Sequence, residues 1–297
     1  MSLIQVFIAT YNRPSLVLNS IHSALNQDFD SFEVIVSDNS TNDETGILVS
    51  QINDKRLSYK RRKPSLPALD HLNAILQDVT LDYFIIFHDD DEMLPGMLKI
   101  LHKTINSNTN YWAVGCNALK CVGKICTNTA LTNLKKDQIF SNTNNFAKQY
   151  LDGNKVVPFP SYIYRSDVAR LIQFDINEAG KYSDVTFLLK ILKYGQIIFL
   201  KEPLMKYYFH IDQDSFTNDT SARNKLHSFI IKNTDFKKTD KLVVSSRLYS
   251  IYSDDVKLIA SKNLNFAKLI KHFHLFIRNR KSSLSFKLLI RYIKIKQ

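Results

Sequence analysis

Residues 83–91 read YFIIFHDDD, an unbroken apolar run that stops at one histidine and three consecutive aspartates. A short apolar run that ends in a polar cluster is typical of a strand buried on both faces. The three carboxylates repel one another, and a bound divalent cation would remove that repulsion. A solvated acidic turn before the helix near Pro95 is the simpler alternative, although capping accounts for one acid rather than three.

Three more apolar runs precede this strand, and segments with helical spacing separate them. The runs are residues 4–9 (IQVFIA), residues 32–36 (FEVIV) and, more weakly, residues 56–60. Continuous apolar strands that alternate with helices predict a parallel sheet covered by helices on both faces. The predicted fold class is therefore α/β.

Polar or charged residues follow all four predicted strands. They are residues 10–13 (TYNR), 38–43 (DNSTND), 60–63 (KRRK) and 88–91 (HDDD). Ligands of such sheets bind beyond the carboxyl ends of the strands, so a single pocket could collect all four segments. Each has an ordinary alternative: Pro14 suits a helix start, and Asp38 suits an Asx turn.

The second half of the chain combines short strands with helices. Short strands and turns are predicted over residues 111–126, helices over residues 142–151, 165–172 and 181–193, and a strand over residues 196–200. Beyond about residue 216 only helical, basic segments follow. We therefore place a domain boundary there, between residues 1–215 and a C-terminal extension of residues 216–297.

The net charge of +12 is concentrated in the tail. No acidic residue follows Asp255, whereas ten basic residues lie between Lys262 and Lys296, interleaved with apolar ones. Helices of this kind lie in membrane interfaces with their cations near anionic headgroups. We expect the extension to bind an anionic membrane surface; an ordinary helical subdomain or dimer contact is the alternative. Nucleic acid is not an expected partner, because no recognised binding module occurs.

Cysteine spacing and the N-terminus indicate the compartment. Cys116, Cys121 and Cys126 lack the paired spacing of a zinc site, which predicts three reduced thiols. The start MSLIQVFIAT has no basic segment of a secretory signal, and no run reaches the roughly 18 apolar residues of a spanning helix. We expect a cytoplasmic protein that is soluble or bound to a membrane surface.

Six segments in the same order resemble the inverting glycosyltransferases of family 2, which have the GT-A fold. They are VFIATYNRP (6–14), EVIVSDNSTNDET (33–45), FIIFHDDDEMLPGML (84–98), SYIYRSDVARLIQFD (161–175), KYSDVTFLLKILKYG (181–195) and EPLMKYYFHIDQDS (202–215). The resemblance implies a Rossmann-like, mostly parallel GT-A sheet and a catalytic domain over residues 1–215. The family's processive members carry a Q-x-x-R-W element and membrane helices, and this chain has neither, so a single transfer is expected.

The resemblance also implies a donor site and a metal site. Its nucleotide-sugar residues would be Thr10, Tyr11, Arg13, Asp38, Arg62 and Asp89. Mn²⁺ or Mg²⁺ would be bound by Asp90 and Asp91 together with His210. The family usually has aspartate where this chain has His88, so the ligand set departs from the family pattern at that position.

Asp184 falls where the family places its general base, and Ser183 replaces the preceding glutamate. A carboxylate suits the removal of a proton from an acceptor hydroxyl. Ordinary alternatives remain for both late residues, since Asp184 would also suit a helix N-cap and His210 a satisfied histidine at a strand end.

The expected activity is inverting, metal-dependent transfer of a hexosyl or N-acetylhexosaminyl group. The donor would be a nucleotide-sugar, with UDP as the nucleotide that the resemblance implies, and the acceptor a glycan or glycolipid of bacterial surface polysaccharide or lipooligosaccharide synthesis. The enzyme would lie at the inner face of the cytoplasmic membrane. A sugar-phosphate nucleotidyltransferase is the first alternative, but residues 10–14 lack the glycine-rich loop that it would show. A non-catalytic sugar-nucleotide binding module is the second. The oligomeric state is not predicted.

Overall fold

The computed structural model describes residues 3–123, 125–153, 158–209 and 219–248. These form two compact units: the first comprises the described residues within 1–141, 157–174 and 190–211, and the second comprises those within 142–156, 175–189 and 212–297. His210 and the basic tail beyond residue 248 lie outside the described residues. Within the described ranges, no helix is both long enough and apolar enough to cross a bilayer.

A sheet of ten strands forms the first unit. Its order is β3-β2-β1-β4-β9-β6-β10-β5, with β7 beside β6 and β8 beside β10. The strands are β1 (Ile4–Thr10), β2 (Phe32–Asp38), β3 (Leu57–Arg61), β4 (Tyr83–His88), β5 (Glu92–Met93), β6 (Tyr111–Val122), β7 (Ile125–Ala130), β8 (Gln138–Phe140), β9 (Ile163–Arg165) and β10 (Gln196–Phe209).

The strand directions bring six carboxyl ends to one edge of the sheet. Strands β1 to β4 are mutually parallel, and β9 is antiparallel to both β4 and β6. Because β9 reverses the direction twice, β6 runs the same way as β4, and β10 is parallel to β6. The prediction of a mostly parallel α/β sheet is confirmed.

The chain forms α-helices in both units. They are α1 (Pro14–Leu25), α2 (Glu44–Val49), α3 (Ala68–Gln77), α4 (Met97–Asn106), α5 (Thr143–Leu151), α6 (Ser166–Leu171), α7 (Ile176–Ala179), α8 (Ser183–Ile191) and α9 (Thr220–Asn233). Val6 and Ile8 share a core cluster with residues of α1 and α4, and Phe7 between them is buried as well. Burial on both faces explains why β1 is apolar at nearly every position.

Two expectations about residues 111–126 are wrong. One twelve-residue strand, β6, replaces the predicted short strands, and it turns directly into β7. This hairpin sets Cys121 opposite Cys126, and the two form a disulfide with a Cα–Cα distance of 4.0 Å. Cys116 alone is a free, buried thiol. A separation of five residues indicates a disulfide only when the intervening turn is known.

Replacing Gly115 by alanine is expected to destabilise the first unit. A Cβ at this position of β6 would lie 2.6 Å from Cε1 of the buried Tyr162 ring. Overpacking of this kind costs about 1–3 kcal/mol. Urea denaturation should show the loss, whereas the exposed Thr129→Ala on β7 should stay within about 0.5 kcal/mol of wild type. Equal midpoints for both variants would contradict the close packing.

Candidate functional site

The end of β1 is tied to the acidic cluster that follows β4. Thr10 Oγ1 donates a hydrogen bond of 2.7 Å to Asp89 Oδ2. Arg13 Nη1 lies 3.3 Å from Asp89 Oδ1 and 3.1 Å from Asp90 Oδ2, so one guanidinium offsets two negative charges. Pro14 then starts α1, as expected for a proline at the first helical position.

A second group of contacts forms around Asp38, which is fully buried at the end of β2. Its Oδ1 accepts a hydrogen bond from the Ser40 backbone N–H at 2.8 Å. Its Oδ2 accepts one from Tyr59 Oη at 2.6 Å and one from Arg61 Nη1 at 3.3 Å. Asp38 therefore holds its own turn in place and gathers polar groups from β3.

The β1 and β2 loops are also joined to each other. Asn12 has φ 53°, in the left-handed region that asparagine tolerates. Its backbone N–H donates to Ser40 Oγ at 2.7 Å, and its side-chain oxygen accepts from the Thr41 backbone N–H at 2.9 Å. These bonds leave the neighbouring Tyr11 ring half exposed at the same sheet edge.

Arg62 is oriented away from Asp38, and Arg61 takes the position beside it. The Arg62 guanidinium bonds Asp78 and donates through Nε to Ser37 Oγ at 3.1 Å. Only its backbone N–H reaches Asp38, at the carbonyl oxygen. A run of four basic residues does not show which side chain faces the pocket, so the sequence predicts Arg62 but not Arg61 at this position.

The acidic cluster does not cap the following helix. Strand β5 lies between the cluster and α4, which begins at Met97 after Gly96 and has no acid in its first turn. This removes the capping alternative for all three aspartates. Their burial therefore needs another explanation.

His88, Asp90 and Asp91 fit a divalent cation. One ligand atom from each lies within 4.8 Å of the others. Asp91 is almost completely buried; its Oδ1 accepts the Tyr208 backbone N–H at 3.1 Å, while its Oδ2 has no hydrogen-bond partner among the described residues. That oxygen lies 3.8 Å from His88 Nδ1. Two carboxylate oxygens and one imidazole nitrogen are donors that a divalent cation accepts.

Burial raises the proton affinity of two members of the cluster. The pKa of Asp91 is raised well above its usual value, first by desolvation and then by the negative charge of Asp90. Desolvation also raises the pKa of Asp89, although the hydrogen bond from Thr10 opposes the shift. A cation would reverse this effect by favouring the ionised carboxylates.

Residues of β10 brace the cluster from the other side. Tyr208 Oη donates to Glu92 Oε1 at 2.7 Å, and Lys206 Nζ donates to Glu92 Oε2 at 2.7 Å. Together with the Tyr208 backbone bond to Asp91, these contacts fix β5 against β10. These contacts join residues more than 110 positions apart, so the local sequence does not predict them.

Asp184 lies in the second unit, in the first turn of α8 rather than at its N-cap, because the helix starts at Ser183. Its Oδ1 accepts the Val185 backbone N–H at 2.8 Å. Desolvation nevertheless raises its pKa to about 6. A carboxyl group with such a pKa is a competent general base near neutral pH.

Helix α9 packs against the turn that leads to Asp184. Gly180 has φ 55°, and a Cβ there would lie 2.7 Å from the Ala222 Cβ. One residue further along α9, Arg223 donates to Tyr182 Oη at 2.8 Å and stacks on its ring at 4.4 Å. Part of the predicted extension thus belongs to the compact unit that contains Asp184.

The family model and the relatives that match this chain all carry glycosyltransferase descriptions. The model of the family described as Glycosyl transferase family 2 matches residues 5–177. WcaA of Escherichia coli K12, named for a glycosyl transferase of colanic acid biosynthesis, is 23% identical over 256 residues, covering 84% of this chain and 87% of that protein. A Campylobacter jejuni GalNAc(5)-diNAcBac-PP-undecaprenol beta-1,3-glucosyltransferase is 31% identical, over 35% of this chain and 34% of its own length.

Two solved structures share the fold. S. aureus TarS in complex with UDP-GlcNAc has a TM-score of 0.61 at 16% identity, covering 84% of this chain and 73% of that one. The Pyrobaculum calidifontis mannosyltransferase PcManGT, in complex with GDP-Man and Mn²⁺, has a TM-score of 0.55 at 14% identity, covering 98% and 86%. Both are GT-A glycosyltransferases, and the GT-A prediction is confirmed.

His88→Ala and Asp91→Asn are expected to weaken Mn²⁺ binding at least about tenfold, the loss that already follows removal of outer-shell partners at metal sites. Each variant removes a donor atom from the group of three. The electron paramagnetic resonance signal of unbound Mn²⁺ measures the affinity directly. Asp28→Asn, which alters an exposed acid paired with Lys99, is the control. Wild-type affinity in both cluster variants would contradict the proposed ligand set.

Proposed function

Because the chain belongs to glycosyl transferase family 2 and is a glycosyltransferase, we propose that it performs inverting, metal-dependent, non-processive transfer from a UDP-sugar. The group transferred is a hexosyl or N-acetylhexosaminyl residue, and the acceptor is a hydroxyl of a glycan or glycolipid. The observation that carries the proposal is the buried Asp91 oxygen without a hydrogen-bond partner, facing His88 at the edge that also holds Asp38.

The donor site is proposed at the joined ends of β1, β2 and β4. Asp38 and Arg61 offer an acceptor and a donor to a base or ribose, and the exposed Tyr11 ring offers a stacking surface. Thr10 and Arg13 hold Asp89 and Asp90 in place. A divalent cation held by His88, Asp90 and Asp91 would neutralise the charge of the departing diphosphate. Arg62 acts through Ser37 and Asp78, as a support below this site.

Asp184 is proposed as the general base. Its raised pKa lets it accept the acceptor hydroxyl proton as the oxygen attacks the anomeric carbon. Attack on the face opposite the diphosphate forms the new glycosidic bond while the old bond breaks, which inverts the anomeric centre.

The names of the relatives support an acceptor in surface polysaccharide or glycolipid synthesis. WcaA is named for colanic acid biosynthesis, and two further relatives, from Campylobacter jejuni and Escherichia coli, are named as beta-1,3-glucosyltransferases that act on diphosphoundecaprenol-linked sugars. We infer a role in bacterial surface polysaccharide or glycolipid synthesis at the inner face of the cytoplasmic membrane. The basic tail would bind anionic lipid there. His210 remains a candidate ligand for the metal or for the diphosphate.

Donor hydrolysis separates this proposal from a non-catalytic binding module. A panel of UDP-, GDP- and dTDP-sugars with Mn²⁺ should give turnover with a UDP-sugar. Asp184→Asn should lower turnover by roughly 10²–10⁴-fold with little change in donor affinity, since a general base contributes about that much. The exposed Asp167→Asn is the control. Equal rates for wild type and Asp184→Asn would remove the assignment of the base.

The rate is expected to rise with pH and then to level off at about pH 6. The base works in its deprotonated form, so below the pKa of Asp184 each unit of pH costs about tenfold in rate. The pH profile of kcat/KM, recorded at saturating Mn²⁺ with donor and acceptor, measures the apparent pKa of the base. A profile that is flat between pH 5 and pH 7 would contradict Asp184 as the titrating base.

A further inference from the structure

The β6–β7 hairpin ends in two strongly exposed apolar side chains. Val122 is 64% exposed and Ile125 is 73% exposed, the highest values of any large apolar residue in the described ranges. They pair across the turn, so they form one surface rather than two scattered positions. We call Val122, Gly123 and Ile125 the hairpin tip.

The hairpin tip has a rigid base. Gly123 has φ 57°, as tight hairpin turns require, and Cys121 pairs with Cys126 across the two strands directly below it. A closed hairpin loses little conformational entropy when its end enters another phase. The exposed residues are therefore held ready for contact.

The position of the tip relates it to the donor site. Strand β6 runs in the same direction as β4, so its carboxyl end lies at the edge where the acidic cluster lies. Tyr208 pairs with Cys121 in the sheet and donates its backbone N–H to Asp91. One residue of β10 thus connects the base of the hairpin with the candidate metal site.

The surroundings of the tip combine apolar groups with cations. Phe209 is half-buried and pairs with Val122 in the neighbouring strand. Lys120 lies two positions before Val122 on β6 and is partly exposed, and Lys124 stands between Gly123 and Ile125 in the sequence. Exposed apolar side chains with adjacent lysines match the interface of a bilayer that contains anionic lipid.

We propose that the hairpin tip inserts into the headgroup region of an anionic bilayer, beside the donor site. The inference rests on the proposed function, because an acceptor carried by a lipid must reach the donor from the membrane surface. Val122 and Ile125 enter the apolar boundary, and Lys120 remains among the headgroups. This contact is separate from the basic tail and places the reaction edge of the sheet against the lipid.

Vesicle flotation with the full chain tests the proposal. Wild type should float with phosphatidylcholine–phosphatidylglycerol vesicles, and Val122→Asp/Ile125→Asp should bind at least about tenfold more weakly, since the loss of even one buried aliphatic side chain accounts for that factor. Ile139→Asp is the matched control: it is 51% exposed on β8, which pairs with the amino end of β10 at the opposite edge. It should bind as wild type does.

Three results would overturn the proposal. They are equal flotation of the double variant and wild type, no flotation of wild type, and a loss of flotation that Ile139→Asp shares. Sedimentation tests the other occupant: a dimer that only the double variant loses, with flotation unchanged, assigns the tip to a second copy of the chain. UDP-sugar hydrolysis without vesicles should be the same in all three proteins, so failure of the catalytic proposal appears separately from failure of this one.

Discussion

A carboxylate removed from water must be compensated by hydrogen bonds, by a cation or by a proton, and the first unit is organised around that constraint. The apolar strand β4 delivers three aspartates to a partly closed edge. Arg13 compensates Asp89 and Asp90, and the Tyr208 backbone N–H compensates one oxygen of Asp91. The remaining Asp91 oxygen has His88 beside it and no hydrogen bond, which is the deficit that a divalent cation would remove.

Much of this arrangement could be predicted because it follows from periodicity along the chain. The apolar runs gave four parallel strands, and the rule that ligands bind at carboxyl ends brought Thr10, Asp38 and Asp90 to one edge. The features that the sequence did not predict are side-chain directions and contacts between strands of the sheet. Which of Arg61 and Arg62 faces Asp38 depends on side-chain direction, and the partnership of Asp91 with Tyr208 joins positions 117 residues apart. The Cys121–Cys126 disulfide depends on a turn that the linear spacing does not reveal.

The second unit also leaves its carboxylate only partly compensated. Around Asp184 backbone N–H groups, including that of Val185, oppose desolvation, and desolvation prevails. A group kept poorly compensated holds its proton more strongly, which is the property that a base needs. The arrangement around it is rigid, because Arg223 of α9 is fixed to Tyr182, two residues before Asp184.

The contact between Gly180 and Ala222 has a consequence for how this sequence can diverge. A side chain at position 180 would collide with α9, and a larger one at position 222 would push the helix away from the turn. Residues that touch a donor can change when the sugar changes, but this pair of small residues serves any sugar equally. Related sequences with new specificities should therefore vary at the donor site first and keep small residues at positions 180 and 222, where the turn and the helix pack together.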